Sequence, residues 1–143
     1  SAMRRVLDHE NVTLVQVGIR GLSQEEADFY DANRRRIQMH LGIDQARWDI
    51  EKIVAPLKGR PVFITFDIDA LDSAVMPATG TPVPGGLSYL TALSILRRAS
   101  EAGNIVGADL VEFAPIKGFH AYDYMAAALA YKMLNYALAK RST

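Results

Sequence analysis

PVFITFDIDALD, residues 61–72, is the stretch from which the fold is read. Pro61–Asp67 is apolar and rich in β-branched and aromatic side chains, which predicts a strand, apolar enough to be covered on both faces of a sheet. Working outward, Val12–Gly18 (VTLVQVG) has the same character and is closed by Gly18 and Gly21, and Asn104–Phe113 (NIVGADLVEF) is another strand candidate. Helix signals fall between these runs. Ser23 followed by Glu26 has capping-box spacing and predicts a helix over Gln24–Ala32. Ile50, Ile53, Val54 and Leu57 recur at helical spacing within Asp44–Leu57. Ser88 caps a helix that runs to Ala102 and ends at Gly103, and Tyr122–Lys140 reads as a long Ala-rich helix. Arg34–Met39 (RRRIQM) fits a helix continuation or a short strand equally well. Strands alternating with helices predict an α/β fold, a three-layer parallel sheet with helices on both faces. Such sheets bind ligands at the carboxyl ends of their strands, which directs attention to Gly18–Gly21, Asp67–Asp72 and Glu112–Pro115.

The composition narrows the function classes. The 143 residues are half hydrophobic and 22% charged, which is globular and long enough for one domain with a sizeable core. Sixteen Lys and Arg balance sixteen Asp and Glu. Zero net charge argues against a dedicated nucleic-acid binder and gives no support to electrostatic membrane binding. The absence of cysteine excludes disulfides, thiolate metal sites and cysteine nucleophiles. No apolar run approaches the ~18 residues of a membrane span, and Ser1–Arg5 leads into an ordinary polar stretch with no signal-peptide pattern. The expectation is a soluble, cytoplasmic protein. The first residue is Ser1, which fits either an expression remnant before Met3 or a piece of a longer chain.

Asp67, Asp69 and Asp72 follow the apolar strand directly. Side chains alternate along a strand, so Asp67 and Asp69 are expected to share one face. Two carboxylates ~4 Å apart repel by about 4 kcal/mol at an effective dielectric of 20, so a shared proton, a basic side chain or a metal ion must offset them. Oxygen ligands suit a hard divalent cation such as Mg or Mn. An acidic turn capped by solvent or by a helix end accounts for the same pattern, and no His is placed to complete a site. The loop Asp72–Gly86 that follows holds three prolines and three glycines, and loops of this length inside a compact domain tend to be functional. Its Thr79 and Thr81 hydroxyls supply donors and acceptors near the carboxylates.

The stretch TFDIDALDSAVMPATGTPVPGGLS, residues 65–88, closely resembles the third signature of the ureohydrolases, the arginase–agmatinase family, roughly [ST]-x-D-x-D-x-x-D-P-x-x-x-P-[AG]-T-G-T-P-x-x-G-G. VQVGIRGLSQEE (15–26) resembles the family's preceding strand and turn, and NIVGADLVEFAP (104–115) its last strand, so the resemblance covers essentially the whole chain. It implies an arginase-like fold. It implies that Asp67 and Asp69 ligate a binuclear Mn2+ centre, that Thr81 lies beside the substrate's guanidinium end, and that Glu112 salt-bridges that guanidinium. Asp72 matches the signature's third acid, which is not normally a metal ligand. Ser73 departs from the pattern, which usually has Pro there and so a stiffer loop. Gly-Ile-Arg-Gly (18–21) and Glu-Phe-Ala-Pro (112–115) are more similar to agmatinases than to arginases. The implied reaction is agmatine plus water to putrescine plus urea. Arginase, guanidinobutyrase and formimidoylglutamase activities stay open.

The family's two earlier signatures, a G-G-D-H segment and a D-A-H-x-D segment, do not occur here, and His9, His40 and His120 do not match the family's His ligands. Ser1–Arg5 resembles the stretch just after the D-A-H-x-D signature. The resemblance therefore implies that residues 1–143 are the carboxyl-terminal part of a single ureohydrolase domain, whose partners are a small guanidino substrate, the amino-terminal half and further copies in a homo-oligomer, with neither nucleic acid nor membrane. Alone, the chain is expected to be inactive and to leave apolar sheet faces uncovered. A non-catalytic half acting as a structural or regulatory subunit is the competing expectation. His120 is read as a helix-start histidine or a pocket-lining one, Trp48 as a packing or interface residue, and Arg34–Arg36 as a solvated charge run or an anion or subunit contact. Gly85-Gly86 lacks phosphate-binding spacing, which argues against a nucleotide site.

Overall fold

The computed structural model describes residues 2–139. The chain divides between Trp48 and Asp49 into two compact units.

The first unit contains α1 (Ala2–Val6), β1 (Leu14–Ile19), α2 (Gln24–Ala32), β2 (Ile37–Leu41) and a 3-10 segment, Gly42–Arg47. β1 and β2 are parallel, with Leu14 opposite Ile37 and Val17 opposite His40, and the register slips between Val17 and Ile19. The ambiguous Arg34–Met39 stretch thus resolves into a turn and the start of a strand. α2 begins with the expected capping box: Ser23 Oγ accepts the Glu26 N–H at 3.2 Å, and the Glu26 carboxylate accepts the Ser23 N–H at 3.0 Å. Arg36 is half-buried and is held by backbone rather than standing in a free charge run. Its guanidinium donates to the carbonyls of Leu7 (3.0 Å), His9 (2.5 Å) and Val12 (2.9 and 3.1 Å), tying the segment before β1 to the start of β2. Arg34 pairs locally with Asp31 at 2.7 Å.

The second unit contains α3 (Ile50–Val54), β3 (Pro61–Asp67), α4 (Tyr89–Ala102), β4 (Asn104–Val111) and α5 (His120–Ala139). The helix expected over Asp44–Leu57 is broken. Asp49 caps α3 by accepting the Glu51 and Lys52 N–H groups, and Pro56 lies in a 3-10 turn, Ala55–Leu57, that closes the segment. β3 and β4 are parallel, from Pro61 opposite Asn104 to Asp67 opposite Val111. α4 buries Ala92, Leu96, Ala99 and Ser100 along one stripe, and α5 buries Ala126, Leu129 and Met133. α5 starts two residues earlier than the Ala-rich pattern indicates, and Lys140 lies outside the described residues. Gly103 follows α4 in an extended conformation, and there is no room for a side chain there: a Cβ would stand 2.5 Å from Val62 Cγ2.

β3 is covered on one face, not two. Val62 and Phe66 are buried, while Phe63 on the opposite face is 61% exposed and Val106 on β4 is 57% exposed. Side-chain alternation puts these two groups on opposite sides, and Phe63 and Val106 stay exposed on the second. No helix among the described residues is long and apolar enough to cross a membrane.

Candidate functional site

The site is built where β3 ends. Asp67 is the last strand residue, and the chain turns at once into a 3-10 segment, Ile68–Ala70. Asp67 and Asp69 are therefore not neighbours on one pleated face, as strand alternation suggested. A turn brings them together: Asp67 Oδ1 accepts the Asp69 N–H at 3.1 Å. Ile68 and Leu71 are fully buried and anchor the turn, so the intervening acids stay at the edge of the core. Burial pushes the Asp67 carboxyl up to about 6; the charges of Asp69 and Glu112 add to this, while the Asp69 N–H works the other way. That environment favours a proton or a cation.

The loop after the turn folds back onto it. Thr81 Oγ1 donates to Asp69 Oδ2 at 2.8 Å. Asp72 Oδ1 accepts the Ala74 N–H at 2.9 Å, and Asp72 Oδ2 accepts those of Gly85 at 2.7 Å and Gly86 at 3.0 Å. The backbone closes the same ring, with the Asp72 N–H on the Leu87 carbonyl at 2.9 Å and the Leu87 N–H on the Ala70 carbonyl at 2.8 Å. Gly86 has no room for a side chain, since a Cβ would lie 2.6 Å from both Asp72 N and Leu71 C. Met76 and Ala78 are fully buried and root the first half of the loop. The Ala114 N–H donates to the Ala78 carbonyl at 2.9 Å and Thr79 bridges Phe113, which ties the loop to the segment after β4.

Glu112 stands one residue beyond β4, not within the strand expected to reach Phe113, and its φ is 61°. A non-glycine residue in the left-handed region is strained, and such strain concentrates at functional sites. Asp67, Asp69, Thr81 and Glu112 thus all lie in the second unit, around the carboxyl ends of β3 and β4. Among the described residues, no three His, Cys, Asp or Glu side chains form a group able to hold a metal ion.

The other candidates lie apart from this cluster. His120 opens α5, is exposed, and has Nδ1 3.2 Å from Asp123. In the first unit, Trp48 makes an edge contact with His40, ring centroids 6.3 Å apart, and burial lowers the His40 pKa. Sequence reading missed the bonds that Asp72 makes and the backbone of Glu112. An acid placed opposite a Gly-Gly pair was the available signal for the first; none existed for the second.

Parallel strands flanked by helices, with acids gathered at the strand ends, define an α/β fold of the arginase and agmatinase class. The chain belongs to the arginase family, whose model matches residues 1–137. The N(1)-aminopropylagmatine ureohydrolase of a Synechocystis species is 37% identical over 135 residues, which is 94% of this chain and 44% of that protein. An arginase of Schizosaccharomyces pombe is 34% identical over 122 residues, 80% of this chain and 36% of that one. The crystal structure of the agmatine ureohydrolase of Thermoplasma volcanium superposes with a TM-score of 0.77 at 30% identity, covering 99% of this chain and 48% of that one. The chain spans less than half the length of each of these proteins.

Proposed function

We propose that residues 1–143 are the carboxyl-terminal part of a manganese-dependent ureohydrolase of the agmatinase type, which converts agmatine and water to putrescine and urea. The carrying observation is the acid cluster. The turn at Asp67–Asp69 and the strained Glu112 gather carboxylates at the ends of β3 and β4, and Asp67 is held up near 6. Such a donor set fits a hard divalent cation in chemistry, and two carboxylates fall short of its coordination number. In this reading Asp67 and Asp69 hold Mn2+, and the remaining ligands come from the amino-terminal half that the relatives possess.

The bound manganese pair would supply the Lewis acidity that makes water nucleophilic near neutral pH. The chain's own residues do the positioning. Glu112 receives the planar guanidinium through paired charge-assisted hydrogen bonds, fixing the orientation of its carbon. Thr81 holds Asp69 through its hydroxyl and lies beside the same guanidinium end. The complete protein works in the cytoplasm as a homo-oligomer, and this chain alone releases no urea.

The names of the relatives favour an agmatine-type substrate, and the arginases among them keep arginine as the second reading. The test is urea release by the complete protein with Mn2+ on agmatine, arginine and 4-guanidinobutyrate. The highest kcat/KM on agmatine is expected. A preference for arginine overturns the substrate assignment, and no urea from any of them overturns the enzyme in favour of a structural or regulatory subunit.

A further inference from the structure

We propose that Asp72 is a positioning residue of this site: its carboxylate closes the loop after β3 and thereby holds Thr81 against Asp69. The inference deepens the functional reading above and takes from it the significance of Asp69, but its geometry stands without a metal.

The argument rests on what holds each part of the loop. Its first half is rooted by burial, with Met76 and Ala78 fully inaccessible and Ala78 bonded to Ala114. Its second half is anchored only at its end, at the buried Gly86 and Leu87. Residues 80–85 are all exposed, so burial does not place them. Thr81 sits in this exposed arm, and side-chain hydrogen bonds restrain the arm: the Thr81 hydroxyl donates to Asp69, and the Gly85 and Gly86 N–H groups donate to Asp72. A carboxylate is the fitting group for this task. It accepts at both oxygens, and here both are used, one on the adjacent turn at Ala74 and the other on two amides 13 and 14 residues along the chain. Bonds to an ionised acceptor are stronger than neutral ones, which matters in an arm exposed to water. An amide in the same place would present an NH2 to N–H groups on one side or the other. The close approach of Gly86 to the Leu71–Asp72 backbone fixes where the arm must land.

The test uses Asp72→Asn, nearly identical in volume, in this chain. Amide exchange at Gly85 and Gly86 should accelerate at least tenfold. The decisive readout is a chemical-shift cycle. In the wild-type background, Asp69→Asn should shift the Thr81 amide and methyl signals; in the Asp72→Asn background it should shift them several-fold less. A residue that merely stabilised the fold would lower the melting temperature and leave that coupling intact, so an unchanged Thr81 response overturns the proposal. Should Asp72→Asn not fold, scalar couplings across the hydrogen bonds from Gly85 and Gly86 nitrogens to Asp72 Cγ can be measured in the wild-type chain; their presence is expected and their absence overturns the proposal. Adding Mn2+ separates the two claims. The metal reading is decided in the complete protein, where Mn2+ should broaden signals at Asp67 and Asp69; if it does not, the metal reading fails, while the coupling result still decides the role of Asp72.

Discussion

Gly86→Ala should be far more damaging than its one methyl suggests. The new Cβ would stand 2.6 Å from Asp72 N, 2.6 Å from Leu71 C and 2.7 Å from Leu71 O, all backbone atoms that no rotamer change can move. Ordinary carbon contacts lie near ~3.5–4 Å, so the loop must retreat from the Leu71–Asp72 backbone by roughly 1 Å. That shift takes the Gly86 N–H, now 3.0 Å from Asp72 Oδ2, out of hydrogen-bonding range. Overpacking costs about 1–3 kcal/mol, and losing a bond to a charged acceptor costs about 1.5–3 kcal/mol. The two overlap, because retreating relieves the clash by giving up the bond, so the expected loss is about 3 kcal/mol. For a chain of this size that lowers the melting temperature by about 10 °C. Gly80→Ala is the control, since a Cβ there meets nothing within 4 Å. The assay is denaturation followed by far-UV circular dichroism, whose signal comes mainly from α4 and α5. A Gly86→Ala chain within ~0.5 kcal/mol of wild type, or an equal loss in Gly80→Ala, would refute the close-approach argument.

Two further outcomes follow from the geometry. Arg36→Ala removes every guanidinium bond to the Leu7, His9 and Val12 carbonyls and should cost about 2–3 kcal/mol, read from the fluorescence of Trp48 in the same unit; Arg36→Lys should recover less than half, because an ammonium cannot reproduce the fork, and a loss under ~0.5 kcal/mol contradicts the tethering role. Asp67, raised from 3.8 to about 6 in the fold, binds a proton more tightly folded than unfolded, so its contribution to stability is complete below about pH 4 and lost as the pH rises through 6. After discounting for solvent screening of a partly exposed group, the metal-free chain should lose on the order of 1 kcal/mol across that window, and Asp67→Asn should abolish the loss; an identical pH slope in both chains would show that Asp67 is not the group responsible.

The parts of the fold legible in the sequence are those set by local chemistry. Ser23 with Glu26 and Ser88 before its apolar stripe start helices where they should, and the β-branched run Pro61–Asp67 is a strand. Asp49 and Pro56 also carried local signals, a cap and a breaker, but the apolar spacing of Ile50, Ile53 and Leu57 outweighed them in the reading. Arg36 had no local signal at all, since its partners lie 24 to 29 residues away. The second face of β3 failed for a different reason: apolar side chains show that a face is to be covered, and only neighbouring chain shows by what. At the site, strand alternation was the wrong geometric reason for pairing Asp67 with Asp69. The strand ends at Asp67, and the buried Ile68 between the acids is what turns the chain and sets them side by side.

The central claim is that Asp67 and Asp69 hold the metal on which urea release depends. It is tested most directly by measuring manganese content and urea release from agmatine together, in the complete protein and in its Asp67→Asn and Asp69→Asn variants. The account predicts that each variant loses manganese and at least ~100-fold in kcat/KM, equivalent to about 2.7 kcal/mol of transition-state stabilisation. Full manganese content with undiminished urea release in either variant would contradict it.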